Sequence, residues 1–72
     1  MAEKEKLMDD YHRMLHELAM ARNPIEAETA LRIAQNIITM LESKTSDREI
    51  LDMRETVSVF YWKAARRMAE GI

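Results

Sequence analysis

Pro24 is the only proline in this chain of 72 residues, and the only glycine, Gly71, stands one residue from its end. Those two residue types supply most sharp turns, because glycine reaches backbone conformations closed to other residues and proline ends helices. A chain with so little of either has few places to turn, and long uninterrupted elements are expected. The apolar residues lean on Ala, Leu, Ile and Met, with few β-branched runs, which selects helix over strand.

Two breaks divide the chain. The first is Arg22-Asn23-Pro24. Proline disfavours helix in the residue before it, so a first helix must end by about Arg22. Asn23 then suits an N-cap, Pro24 the first helical position, and Glu26 the far side of a capping box. The second break is the polar run Glu42-Ser43-Lys44-Thr45, after which Ser46 and Glu49 repeat the capping-box spacing. Helices are therefore predicted over residues 3–21, 24–43 and 47–70, with Gly71 as a C-terminal stop. Connections this short fold successive helices back on each other. The expected architecture is all-α: a three-helix antiparallel bundle forming a single domain over 1–72, completed by self-association or by a partner.

Helical spacing assigns the faces. In the first segment Leu7, Tyr11, Met14, Leu18 and Ala21 form a stripe flanked by Met8 and Leu15, while Met20 lies off it. Arg13 and Glu17 are spaced to pair across one turn of its wet face. In the second, Ala27, Leu31, Ala34, Ile38 and Leu41 are broadened by Ala30, Ile37, Ile33 and Met40 into an arc of about 180°. That width is expected of a central helix touching two others. In the third, Ile50, Met53, Val57, Phe60, Ala64 and Met68, with Tyr61 beside them, make an inward seam. A second apolar set remains about 80–140° away around the helix: Leu51, Trp62, Ala65 and Ala69, with Ser58 on the same line and Val59 further round. A three-helix bundle has no room to bury both seams. Tryptophan is strongly enriched at binding hot spots, and small neighbours suit a docking groove. The candidate partner-binding residues are therefore Leu51, Ser58, Val59, Trp62, Ala65, Arg66 and Ala69.

Several activities are disfavoured. The chain has no Cys, which removes disulfides, thiolate metal sites and a thiol nucleophile. One glycine leaves no phosphate-cradling loop, and Ser43, Ser46 and Ser58 have no base at motif spacing. His12 and His16 stand one turn apart with Asp9 a turn earlier, a spacing that can hold a metal. Arg13, however, occupies the position where a catalytic zinc helix carries Glu, and no third ligand is evident. No enzyme activity, cofactor or metal is expected. The net charge of −2 argues against non-specific nucleic-acid binding, which rests on neutralising phosphates. No apolar run approaches the roughly 20 residues that span a bilayer, and MAEKEK leads into no signal-like apolar core. The expectation is a cytoplasmic protein that does not enter membranes.

The stretch Val59-Phe60-Tyr61 with Ala64, Arg67, Ala69 and Glu70 resembles the end of the Hha/YmoA nucleoid-modulator family. That resemblance implies a small helical protein acting through a DNA-binding partner. The helices preceding it here are longer than that family's, and Ala65 and Arg66 stand where the family has its Asp, so no functional residue is carried over.

Seven Met among 72 residues make the chain methionine-rich, and Met is favoured on adaptable binding surfaces. The reading that emerges is a non-enzymatic protein–protein interaction module: a small helical adaptor, inhibitor or chaperone-like protein binding a partner helix or itself as a homo-oligomer. The alternative is a transcription- or nucleoid-associated regulator using the basic end at Lys63, Arg66 and Arg67.

Overall fold

The computed structural model describes residues 2–71 and contains three helices in that span: α1 (Ala2–Ala19), α2 (Pro24–Leu41) and α3 (Asp47–Glu70). The caps explain the boundaries. Asn23 is extended, and its side-chain oxygen accepts from Glu26 N at 2.9 Å. The Glu26 carboxylate reaches back one residue further than in a standard capping box, accepting from Arg22 N at 2.8 Å. Ser46 repeats the arrangement at α3, accepting from Glu49 N at 3.2 Å, while the Glu49 carboxylate takes the Thr45 hydroxyl at 2.6 Å. Both caps satisfy amides that a helix start would otherwise leave without partners. Gly71 ends α3 in a right-handed conformation, its N–H donating to Arg67 O at 2.9 Å. The left-handed turn that usually recruits glycine to such a position is not used.

Two contacts fix the directions of the helices. Glu3 at the start of α1 pairs with Lys44, just before α3, at 3.2 Å. Arg67, near the end of α3, donates to Ala19 O and Ala21 O at the end of α1. α1 and α3 therefore run the same way and α2 runs against both. The three helices form a bundle in which every pair is in contact. It is long: the Cα extents are 43 × 20 × 13 Å, and the radius of gyration is 12.6 Å. A compact chain of this length would have about 11 Å.

The core runs along the shared interior. Leu18 on α1, Ile38 and Leu41 on α2 and Val57 on α3 are its largest fully enclosed side chains. Removing each from water stabilises the fold by about 1.5–3 kcal/mol. Ala27, Ala30 and Ala34 are buried on α2, where small side chains let the neighbouring backbones approach. The predicted inward seam of α3 is buried at Ile50, Met53, Val57 and Ala64, with Phe60, Tyr61 and Met68 packed half-buried against it.

Two surface expectations are corrected. Ile33 and Met40 fall within the contact arc that spacing predicts for α2, but both are exposed. Two neighbours cover less of the helix circumference than its apolar residues occupy. Arg13 pairs not with Glu17 but with Asp10 at 2.6 Å, one turn in the other direction.

Candidate functional site

α3 presents two kinds of surface. Its inward line closes the bundle. Its outward line carries large apolar side chains in water: Trp62 is 71% exposed, Leu51 60% and Val59 49%. A helix of 24 residues with caps at both ends holds these residues at fixed spacing on one rigid rod. The Trp62 and Tyr61 rings stand in a T-shaped arrangement, 6.4 Å between centroids.

Of the remaining candidates, Ser58, Arg66 and Ala69 are exposed and lie on the same side of the rod. Ala65 departs from them. It is half-buried and turns into a cleft of about 690 Å³ at the end of the bundle, which Ala69 also lines. Met20, Pro24, Ala27 and Met68 form part of its apolar wall. Ala65 therefore links the outer face to this cleft. Val59 borders a shallow hollow with Asp52, Glu55, Thr56 and Phe60 on its other side.

The C-terminal cations are largely committed. The Arg67 guanidinium bridges Ala19 O, on the last residue of α1, and Ala21 O, in the turn that follows it. A planar fork reaches two carbonyls at once, which a lysine ammonium does less well. Arg66 Nε donates to Glu70 Oε2 at 3.1 Å, one turn along α3. Lys63 stays on the exposed surface. Cations near the end of a helix complement its dipole. Arg67 does more, because it caps a different helix.

The turn before α2 and α2 itself carry a second apolar surface that helical spacing did not mark as a site. Met20, Ile25, Ile33 and Met40 are all exposed, Ile25 to 76%. Met20, Ile25 and Ile33 share a groove between the end of α1 and the start of α2 with Met14, Glu17 and Thr29. The signal was present: an apolar arc too wide for two neighbours must leave one edge uncovered.

His12 and His16 are exposed on α1, and the His12 ring lies 5.3 Å from that of Tyr11. Among the described residues, no three His, Asp or Glu side chains converge on a point where a metal ion would sit. Buried side-chain polar atoms are all hydrogen-bonded among the described residues. The principal one is the Tyr11 hydroxyl, which donates to Met53 O on α3 at 3.3 Å. Burial pushes this hydroxyl above its ordinary value of 10.0. Thr56 lies close enough to oppose the shift in part, although its own proton goes to Asp52 O at 2.9 Å. Glu26 moves the other way. The Arg22 backbone N–H donating to its carboxylate, with the Arg22 charge nearby, holds it below its ordinary value of 4.5. Both perturbed groups serve the fold: Tyr11 ties α1 to α3, and Glu26 holds the start of α2.

Among the described residues, no helix is long and apolar enough to cross a membrane. No protein-family model matches the chain, and no curated protein or solved structure matches it either.

Proposed function

We propose that this protein is a non-enzymatic interaction module whose outer α3 face docks a helix, supplied by another protein or by a second copy of the chain. The observation that carries this reading is Trp62, standing 71% exposed between Leu51 and Ala69 on a face the bundle does not use. A tryptophan offers roughly 150–250 Å² for burial, and leaving most of it in water forgoes that gain unless something covers it. An amphipathic helix laid along α3 would cover it, with Trp62 as the central anchor and Ser58, Ala65 and Ala69 leaving room beside it. Adaptors, inhibitors and small chaperones work through such faces. The role of Arg67 in capping α1 and the pairing of Arg66 with Glu70 weigh against a phosphate-binding role for the same end of α3.

Trp62→Ala tests the reading. At high dilution, where no docking occurs, the variant is expected to unfold within about 0.5 kcal/mol of wild type, as surface substitutions do. A loss of about 3 kcal/mol or more, the range for truncating a buried tryptophan, would place Trp62 in the monomer's core and remove the basis of the proposal.

A further inference from the structure

The outer face of α3 matches itself. Leu51, Glu55, Ser58, Trp62, Ala65 and Ala69 follow one another at intervals of four, three, four, three and four residues. This is the a/d spacing of a helix-pairing seam. The series also reads the same from either end, so two copies related by a two-fold axis near the level of Phe60 bring its members into register antiparallel. Leu51 then faces Ala69 of the second copy, Trp62 faces its Ser58, and Glu55 faces its Ala65. At two of these levels a large side chain meets a small one, the alternation that lets facing helices interdigitate. An isologous interface requires this reciprocity, each residue meeting in the partner the one that meets it.

Charge supports the same orientation. The first half of α3 carries four acids (Asp47, Glu49, Asp52, Glu55) against Arg48 and Arg54, and its last turns carry Lys63 and Arg66 against Glu70, with Arg67 turned to the end of α1. Antiparallel pairing sets the acidic half against the basic half, whereas parallel pairing sets like against like. Glu55 lies beside Arg66 of the second copy in this register. Arg66 meets Glu70 through Nε, and its terminal nitrogens make no hydrogen bond among the described residues.

From these observations we infer that the occupant of the α3 face is a second copy of this chain, packed antiparallel through Leu51, Ser58, Trp62 and Ala69 with Glu55–Arg66 pairs flanking the seam. This rests on the proposed docking role of α3 and names its partner.

Sedimentation equilibrium from micromolar to millimolar concentration, combined with charge reversal, tests it. Wild type is expected to reach a dimer. Glu55→Arg and Arg66→Glu should each raise the dimer dissociation constant about tenfold or more, and the double variant should return to within about threefold of wild type, because the pair is remade with its charges exchanged. Thermal melts at high dilution confirm that each variant still folds. Orientation is read separately. The chain has no native Cys, so Lys63→Cys and Arg48→Cys each accept a single spin label. In the antiparallel dimer the axial offset between labels is about 9 Å at Lys63 and about 36 Å at Arg48. A chain that stays monomeric throughout, a dimer indifferent to both reversals, or short distances at both labels overturns the inference. The two readings fail separately. A monomer whose Trp62→Ala variant keeps its stability rejects the second copy alone, whereas a Trp62→Ala variant unstable at high dilution rejects the docking face as well.

Discussion

Tyr11 and Arg67 do work that no helical spacing announces. Both reach across the bundle to backbone carbonyls, Tyr11 to Met53 and Arg67 to Ala19 and Ala21. Tyr11→Phe removes a buried neutral hydrogen bond and should cost about 1 kcal/mol, read as a lower urea midpoint. The same residue predicts an alkaline limit. Its hydroxyl titrates higher in the folded chain than in the unfolded one, so above pH 10.0 the unfolded state loses its proton first. The contribution is complete below that pH and is lost as pH rises through the folded value. Tyr11→Phe should therefore flatten the fall in stability on the alkaline side. Arg67→Ala leaves the carbonyls of Ala19, which ends α1, and Ala21, in the turn beyond it, without this donor, with an expected cost of about 1–2 kcal/mol. For a domain of this size that is a melting temperature roughly 4–16 °C lower. Arg67→Lys should recover only part, since the two-pronged geometry is lost.

At the scale of the element, the caps decide where helices start. Asn23→Ala and Ser46→Ala each remove the oxygen that accepts an orphan amide and should each destabilise the fold by about 1 kcal/mol in chemical denaturation. The α2 cap adds an acid dependence. Glu26 is held below its ordinary 4.5 by the Arg22 backbone N–H, so its contribution is present above that pH and is lost as pH falls through the lower folded value. Glu26→Gln should lose this part of the acid response, which a comparison of melting temperatures between pH 6 and pH 3 would register. Both cap positions were legible in the sequence, because a cap is a local event needing only neighbours along the chain. The partners of the two capping carboxylates were not: Glu26 takes the amide of Arg22, and Glu49 takes the Thr45 hydroxyl. These choices depend on how the linker before each helix approaches it. The expected end of α1 lies two residues too far along the chain for a related reason, since Met20 and Ala21 already belong to the turn that Arg67 secures.

At the scale of the whole molecule, a slender bundle has a thin core, and a single cavity in it matters. Leu18 is fully enclosed. Leu18→Ala should cost about 3–4 kcal/mol. That is a large share of the 5–15 kcal/mol typical of folded domains. Ile33→Ser, on the exposed edge of α2, should shift the urea midpoint by less than about 0.5 kcal/mol equivalent. If the second copy binds only the folded chain, the melting temperature must also rise with protein concentration, by mass action. A constant melting temperature over the same range would agree with a monomer.

What the sequence by itself determined is what depends on near neighbours and on period: three helices, their starts, their inward stripes, and an α3 with more apolar surface than one contact face requires. Pattern and local chemistry suffice for these, since a helix repeats every few residues and a cap reaches only three or four. The tertiary structure alone decided how much of each helix its neighbours cover. It left Ile33 and Met40 in water although their spacing marked them as contact residues, turned Ala65 towards the end cleft, and assigned Arg67 to the carbonyls where another helix ends. Coverage depends on how many helices surround a given one and at what distance, and no stretch of a single helix encodes that.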